Sequence, residues 1–384
     1  MLTYDIFSYG RMIRDRVRTD AYAEALRSCV GPDSVVLDMG TGVGIWALLA
    51  CQFGARKVYA VDPNDAIQVA REIAAANGYS DRIEFIEDLS TKITLPEPAD
   101  VIVTEMHGIL PMFEQNIGSI IDARQRLLAP GGRIIPQTET LWAVPVESPE
   151  SWEEVTSPWS NRPYGINMQP AMRVASNSWF KSNLAAAALL GEPGCWGTLD
   201  YRNVESPTVA GEVKVTASRA GTGHGIAVWF DTVLVDGIGF SNAPGAPETV
   251  FGQAFFPWPE PVAISPGDQI SLALRPDLVR DYHLWRWETT IWDEGRVDKV
   301  KVNFKQSTFF DLPISSAVLH KRADDYVPRL SEDGQVKRLV FSLMDGQNPL
   351  GQIASQAAAH FPKRFTDHDD ARTTVADISE KYSQ

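Results

Sequence analysis

The sequence is poor in cysteine, in basic residues and in long apolar runs. Its three cysteines, Cys29, Cys51 and Cys195, form no CxxC pair and no metal-ligand spacing, so we expect no disulfide framework, no bound metal and a reducing compartment. The 35 Lys and Arg are outnumbered by 49 Asp and Glu. The net charge of −14 argues against nucleic acid or an anionic membrane as a partner and favours a cationic one. No run reaches about 18 uninterrupted apolar residues, and residues 1–10 lack a signal-peptide pattern, so we expect a cytoplasmic protein.

The composition is that of an ordinary globular protein, with 44% hydrophobic and 22% charged residues. A length of 384 residues predicts two or three domains. Over residues 1–142 strand and helix signals alternate, which predicts a Rossmann-like α/β domain whose ligand lies beyond the carboxyl ends of parallel strands. The predicted strands are 34–37, 58–61, 83–86 and 101–104, and the predicted helices are 45–53, 66–77 and 117–128, the last of them stopped by Pro130, Gly131 and Gly132.

Two regions of different character follow. Over residues 143–305, short alternating runs separated by turn residues predict a β-barrel or sandwich domain. A stretch near 160–188 interrupts them and is predicted to form a projecting arm. Over residues 306–384, apolar residues recur at roughly helical spacing, which predicts a small, mostly helical extension. The alternating runs are 211–218, 225–235, 254–256, 269–274 and 297–303.

A glycine-rich loop follows the first predicted strand. Its key residues are Asp38, Gly40, Gly42 and Gly44. Glycines at every second position let the backbone approach a ligand where a Cβ would clash, and the spacing differs from the GxGxxG of dinucleotide binders. Asp62 closes the second strand, where a carboxylate can accept hydrogen bonds from both ribose hydroxyls, and Asp88 ends the third strand near an adenine position. These features predict a nucleoside site; the alternative is a tight turn without a ligand.

Two glutamates follow the fourth predicted strand, Glu105 directly and Glu114 nine residues later. Gly108 and Pro111 between them favour a hairpin-like loop that returns Glu114 towards Glu105. Two carboxylates at this edge of the sheet could clamp a guanidinium, whose planar fork suits carboxylate geometry. The alternative is that both are surface residues of a loop.

The glycine pattern resembles that of class I S-adenosylmethionine-dependent methyltransferases, and residues 11–303 resemble the protein arginine methyltransferase family. The matching segments are 12–19, 36–44, 54–61, the "double-E" pair Glu105 and Glu114, 123–136, 229–231 and 239–241. The resemblance implies N-methylation of an arginine guanidinium in a protein or peptide, with S-adenosylmethionine converted to S-adenosylhomocysteine, the two glutamates as catalytic residues, and a homodimer formed through the arm. It implies cofactor contacts at Met12, Arg18, Asp38, Gly40, Gly42, Gly44, Asp62, Asp88 and Leu89, with Arg18 on the methionyl carboxylate.

Three departures from the family pattern concern the substrate side. Val250 stands where the family has a His that pairs with the Asp matched by Asp15, and Phe251 stands where it has a Trp. The pair after Glu105 is Met-His rather than Trp-Met. The family's aromatic N-terminal helix is nearly absent. The candidates for substrate contacts are His107, Thr249 and Phe251, and the aromatic candidates of the N-terminal helix are Tyr4, Phe7 and Tyr9.

These departures leave two alternatives open. One is a small-molecule N- or O-methyltransferase of secondary metabolism on the same scaffold, and the other is a non-catalytic regulator. The extension is interpreted either as a helical cap or as a winged-helix-like domain that binds a precursor peptide by strand addition.

Overall fold

The structure, a computed structural model, describes residues 5–294, 299–313 and 315–383. The chain divides into two compact units, Met1–Pro313 and Ile314–Gln384. No helix among the described residues is both long and apolar enough to cross a membrane.

The first unit begins with a parallel sheet. Its strands, within the described residues, are β1 (Val35–Met39), β2 (Lys57–Val61), β3 (Ile83–Ile86), β4 (Ala99–Thr104) and β5 (Leu128–Ile135). They lie in the order β3-β2-β1-β4-β5, so β1 is central. Every residue of β1 is buried, as expected of a strand covered on both faces of a parallel sheet. The predicted Rossmann-like arrangement is therefore confirmed.

The helices of this region include the three that were predicted, preceded by two that were not. They are α1 (Ile6–Arg14), α2 (Arg16–Cys29), α3 (Ile45–Gln52), α4 (Ala66–Ala76) and α5 (Asn116–Arg126). The prediction was wrong about β5, because Pro130, Gly131 and Gly132 lie within this strand rather than ending a helix in a turn. An edge strand tolerates such residues, and the register between β4 and β5 shifts at Ala99 and Val101, next to them.

Two antiparallel sheets make up the rest of the first unit. Their strands are β6 (Thr138–Val146), β7 (Phe180–Ser182), β8 (Gly194–Asp200), β9 (Gly211–Thr216), β10 (Gly221–Val235), β11 (Ile238–Ser241), β12 (Gln253–Ile264), β13 (Gln269–Val279), β14 (Tyr282–Trp292) and β15 (Val300–Ser307). One sheet has the order β7-β12-β10-β6-β8 with β11 beside β10, and the other has the order β15-β14-β13-β9. Phe256 joins them, since its ring lies 5.2 Å from that of Trp285 and 5.1 Å from that of Trp287.

Some predicted boundaries shift in this region. The boundary at residue 142 falls inside β6, so the antiparallel part begins at Thr138. The predicted strand 297–303 corresponds to β15, and its residues 297 and 298 lie outside the described residues. The strands β6, β7, β8, β11 and β14 were not predicted.

The segment predicted as an arm contains short helices and an exposed tip. It follows α6 (Pro149–Ser160) and contains α7 (Met172–Ala175), with 3₁₀ turns before and after α7. Tyr164 is fully exposed and Ile166 is 58% exposed. Such apolar side chains at a tip are typical of a segment that another surface covers.

The second unit consists of helices and loops over its described residues. Its helices are α8 (Ser316–His320), α9 (Glu332–Leu343), α10 (Leu350–His360) and α11 (His368–Tyr382). α9, α10 and α11 share a small core that includes Val340, Ala357 and Val375. The described residues of this unit contain no strand, so the winged-helix interpretation, which needs a strand edge for peptide addition, is wrong.

Candidate active site

A cavity of about 720 Å³ lies at the carboxyl ends of the parallel strands. This volume is in the range of sites that enclose a small molecule. Residues of α1, the glycine-rich loop, the loop after β4 and the hairpin between β13 and β14 line it. Ten of the residues singled out in the sequence are among the described residues that line this cavity: Tyr9, Met12, Arg18, Gly40, Asp62, Asp88, Leu89, Glu105, His107 and Glu114.

The glycine-rich loop takes a backbone path that favours glycine. Gly40, Gly42 and Gly44 have φ values of 74°, 52° and 86°. A Cβ on Gly40 would lie 2.7 Å from Cγ of Met106, and one on Gly42 would lie 2.4 Å from Cε1 of Tyr9. The loop is therefore packed between α1 and the residue after Glu105. Gly42 and Gly44 are not among the cavity-lining residues, so they shape the wall through the backbone instead.

Asp38 supports this loop from below. Its side chain is fully buried, and its Oδ2 accepts hydrogen bonds from Oγ1 of Thr41 at 2.7 Å and from the backbone N–H of Ala47 at 2.9 Å. Burial raises the pKa of Asp38 to about 7 against the lowering effect of these two bonds. Because Asp38 is not among the described residues that line the cavity, the predicted direct cofactor contact is corrected to a structural role.

Asp62 is held at the cavity wall with a fixed orientation. Its Oδ2 accepts from the backbone N–H of Gly42 and its Oδ1 from that of Asn64, both at 2.8 Å. Burial raises its pKa, although both hydrogen bonds act in the opposite direction. Each oxygen keeps further lone pairs for a ligand. Asp88 and Leu89 lie at the same wall, where Oδ1 of Asp88 accepts from the backbone N–H of Leu89.

Arg18 of α2 lines the cavity and is 2% exposed. Its Nη1 forms an ion pair with Oε2 of Glu105, and its Nη2 donates to the carbonyl oxygen of Met12 at 2.8 Å. Its guanidinium also lies 5.4 Å from the ring centre of Trp46. The sequence predicted a cofactor carboxylate as the partner of Arg18, whereas the structure places one of the two candidate catalytic glutamates there.

The loop from Glu105 to Glu114 folds back on itself, as predicted. A Cβ on Gly108 would lie 2.7 Å from the ring of Phe113, which shows how closely the two arms of the loop approach. Glu114 has a φ of 42°, a left-handed conformation that a non-glycine residue adopts only when its surroundings impose it. Both glutamates line the cavity, so the alternative of two outward-facing surface residues is wrong.

His107 lies in a buried cluster with a residue that the sequence analysis missed. Its Nε2 lies 2.9 Å from Oε1 of Glu139, and its Nδ1 lies 3.9 Å from Oε1 of Glu105. Glu139 is fully buried on β6, opposite Thr232 of β10. Burial alone lowers the pKa of His107, but the carboxylates of Glu139 and Glu105 outweigh it and raise that pKa. The only sequence signal for Glu139 was a lone carboxylate in a strand.

The segment 249–251 does not take the predicted role. Thr249 and Phe251 are buried and are not among the described residues that line the cavity, which corrects their predicted contact with substrate. Phe251 packs in an aromatic cluster, with its ring 5.8 Å from that of His107 and 5.3 Å from that of Phe230. The backbone N–H of Val250 donates to Oδ2 of Asp15 at 2.8 Å.

The N-terminal helix contributes one aromatic residue to the cavity. Tyr9 lines it against the glycine-rich loop, whereas Phe7 is 76% exposed. Tyr4 lies outside the described residues. At the mouth of the cavity, Asp281 from the hairpin between β13 and β14 was not predicted, and Gln115 anchors that hairpin through the carbonyl oxygen of Arg280.

Comparison with known proteins gives separate matches to the two parts of the first unit. The model of the ribosomal protein L11 methyltransferase family matches residues 18–136, and that of the arginine methyltransferase oligomerization subdomain matches residues 137–285. A probable protein arginine N-methyltransferase 6 of Arabidopsis thaliana is 33% identical over 250 residues, which are 63% of this chain and 57% of that protein. Protein arginine N-methyltransferase 2 of mouse is 32% identical over 291 residues, 68% of this chain and 64% of that protein.

On these matches the chain is similar to the protein arginine methyltransferase family. It spans about three fifths of the length of the curated relatives it matches. The crystal structure of Arabidopsis thaliana protein arginine methyltransferase 10 is 25% identical and has a TM-score of 0.68, covering 79% of this chain and 97% of that one. The Trypanosoma brucei PRMT1 enzyme–prozyme heterotetrameric complex with AdoHcy is similar in fold, with a TM-score of 0.71, 22% identity and coverage of 78% and 96%.

Among the described residues, no group of three or more His, Cys, Asp or Glu side chains is placed to hold a metal ion. The two glutamates of this arrangement can bind a cation. The glycine-lined wall with its oriented aspartate can bind a nucleoside.

Proposed function

We propose that this chain transfers a methyl group from S-adenosylmethionine to a guanidinium nitrogen of arginine in a protein or peptide. The observation that carries the proposal is that Glu105 and Glu114 line the same cavity as Gly40 and Asp62. A site for a cation and a site for a nucleoside are then adjacent in one enclosed space. This adjacency favours the arginine methyltransferase over a small-molecule enzyme of secondary metabolism.

The residues of the wall fit an S-adenosyl nucleoside. Gly40 leaves no room for a Cβ, Asp62 is fixed by two backbone donors, and Asp88 lies on the neighbouring strand end. Asp62 would hold the ribose hydroxyls and Asp88 the adenine amino group. When bound, S-adenosylmethionine would supply a sulfonium methyl group that an acceptor nitrogen displaces, with loss of one proton from the acceptor.

The two glutamates would orient the acceptor and offset its charge. Carboxylates that are already in position stabilise a cationic group without any reorganisation of the site during the reaction. Such preorganised electrostatics supply most of the rate enhancement of sites of this kind. The fork of a guanidinium can bond both carboxylates at once and still leave one nitrogen towards the donor. The net charge of −14 also favours a cationic substrate, because the chain as a whole attracts positive charge.

Location and assembly belong to the same proposal. Cys29, Cys51 and Cys195 form no disulfide, which supports a reducing compartment and a cytoplasmic protein. The matched oligomerization subdomain includes the exposed tip with Tyr164, which supports a homodimer formed through the arm.

The test is mass spectrometry after incubation with S-adenosylmethionine and either an arginine-containing peptide library or free arginine analogues. We expect a 14-Da increase, the mass of one added methylene, that maps to arginine in peptides. Modification of free analogues alone would favour the small-molecule enzyme. Absence of S-adenosylhomocysteine binding by calorimetry would contradict the proposal and favour a non-catalytic regulator.

A further inference from the structure

Both carboxylate oxygens of Glu105 face a basic side chain. Oε2 pairs with Nη1 of Arg18, and Oε1 faces Nδ1 of His107 at 3.9 Å. That nitrogen is buried and has no hydrogen-bond partner among the described residues. At 3.9 Å, charge rather than a hydrogen bond connects the ring to Glu105.

The ring of His107 is fixed on its other side. Nε2 contacts Oε1 of Glu139, whose carboxylate also accepts from Oγ1 of Thr232 and from the hydroxyl of Tyr201. Phe230 packs edge-on against the ring at 5.4 Å. Since every donor to Glu139 is itself buried, this carboxylate holds His107 in one orientation.

This orientation favours the protonated ring. A neutral imidazole has one bare nitrogen, and here either nitrogen would turn its lone pair towards a carboxylate. An imidazolium instead presents an N–H to Glu139 and another to Glu105. Burial opposes the charge, but the two carboxylates raise the pKa of His107 in spite of it, and the guanidinium of Arg18 has a smaller opposing effect.

The remaining groups packed around the cluster are neutral. Tyr22 of α2 and Tyr201, which follows β8, have pKa values well above the ordinary value because they are buried. Phe230 and Phe251 cover the ring without charge. The cluster therefore contains Glu105, Glu139, Arg18 and His107 as two carboxylates and two cations.

We propose that His107, oriented by Glu139, is a positioning residue that holds Glu105 in place for the acceptor. The inference rests on the proposed function. It also gives a role to the imidazole that this chain carries at 107, while Val250 occupies the position where the family resemblance implies one beside Asp15.

The first test measures charge and needs neither cofactor nor acceptor. With histidine rings labelled with ¹³C, NMR titration of the full chain should show His107 titrating above 6.5, the ordinary value. Glu139→Gln should lower that pKa because it removes the nearest carboxylate. Tyr201→Phe, which leaves the carboxylate but removes one of its donors, is the milder second variant. A His107 pKa at or below 6.5 in the wild type overturns the proposal.

The second test measures catalysis. In His107→Gln we expect kcat to fall ~10-fold or more, on the scale of losing one preorganised charge, while the Kd for S-adenosylhomocysteine changes little. The wild-type kcat should decline as pH rises through the pKa of His107, and the variant should lack this decline. His224→Gln is the matched control, because His224 is buried on β10 and accepts from the backbone N–H of Ser148.

A double variant separates charge from packing. His107→Met with Glu139→Gln removes both charges together and so leaves no unpaired buried carboxylate. We expect its kcat to be as low as that of His107→Gln. Wild-type kcat in the double variant, or an equal loss at every pH together with weakened S-adenosylhomocysteine binding, would overturn the positioning role. If His107 titrates high but arginine is not methylated, the proposed function fails and the charge assignment stands.

Discussion

Arg18 and Glu105 form a buried ion pair that connects the second helix to the loop after β4. The side chain of Arg18 is 2% exposed and that of Glu105 is 8% exposed. Two buried charges stabilise a fold little as a pair, but removing one partner leaves the other uncompensated. The pair therefore makes the stability of the site depend on both residues at once.

We expect Arg18→Met to destabilise the first unit by about 3–5 kcal/mol, because Oε2 of Glu105 loses the guanidinium with which it is paired. Arg18→Met with Glu105→Gln should recover a large part of that loss. Urea unfolding followed by tryptophan fluorescence measures this directly, since all 11 tryptophans lie before residue 293 and report on the first unit alone. Strictly additive effects of the two substitutions would contradict the coupling.

Substitution of either glutamate of the cavity should reduce catalysis without weakening cofactor binding. We expect Glu105→Gln and Glu114→Gln each to lower kcat at least ~100-fold, the scale of removing one preorganised charged group. The Kd for S-adenosylhomocysteine should stay close to the wild-type value. Steady-state rates and calorimetry provide the two measurements, and Glu72→Gln on the exposed face of α4 is the control. Near-normal turnover in both variants would eliminate the guanidinium clamp.

Much of the fold could be predicted from the sequence, because hydrophobic runs and glycine turns are local signals. The strand 83–86 and the start of the helix at Ile45 were confirmed to the residue. β5 was not predicted, since Pro130 and Gly131 have the local appearance of a turn and only their place at the sheet edge permits a strand.

The candidate site was predictable only in part, for a different reason. Glu105 and Asp62 follow strand ends, and the topology of a parallel sheet places such residues together. Glu139 lies on β6 and becomes a partner of His107 only because the fold brings that strand beside the loop after β4. Contacts that depend on how distant segments are aligned cannot be recognised from the sequence of either segment alone.

Cofactor binding should require glycine at position 40, because there is no room for a side chain there. Gly40→Ala places a Cβ 2.7 Å from Met106 and so displaces the residue next to Glu105. Overpacking of this kind costs about 1–3 kcal/mol, so we expect S-adenosylhomocysteine to bind about tenfold more weakly in calorimetry. Gly78→Ala is the matched control, because Gly78 has a similar φ of 72° but open space around its Cβ position. Equal losses in the two variants would attribute the effect to backbone conformation alone.

Asp38 should make the stability of the first unit dependent on pH. Folding raises its pKa from 3.8 to about 7, so between these values the folded protein binds a proton more tightly than the unfolded chain does. The contribution of Asp38 to stability must therefore fall as pH rises from about 4 to 7. We expect Asp38→Asn to flatten this decline in urea unfolding measured across that range. If the wild type and the variant differ in free energy of unfolding by the same amount at pH 4 and at pH 7, the raised pKa of Asp38 is contradicted.

The exposed tip of the arm should be needed for assembly. Tyr164 is fully exposed and has a φ of 54°, so the backbone holds an aromatic ring outward in a conformation that is costly for a non-glycine residue. An interface that covers Tyr164 and Ile166 would explain both features. Light scattering at micromolar concentration should show a dimer for the wild type and a monomer for Tyr164→Glu with Ile166→Glu, because charges in an apolar interface oppose association. Val327→Glu, at a residue of the second unit that is 79% exposed, is the control. A wild-type monomer, or a dimer that survives the double substitution, would show that the arm does not mediate assembly.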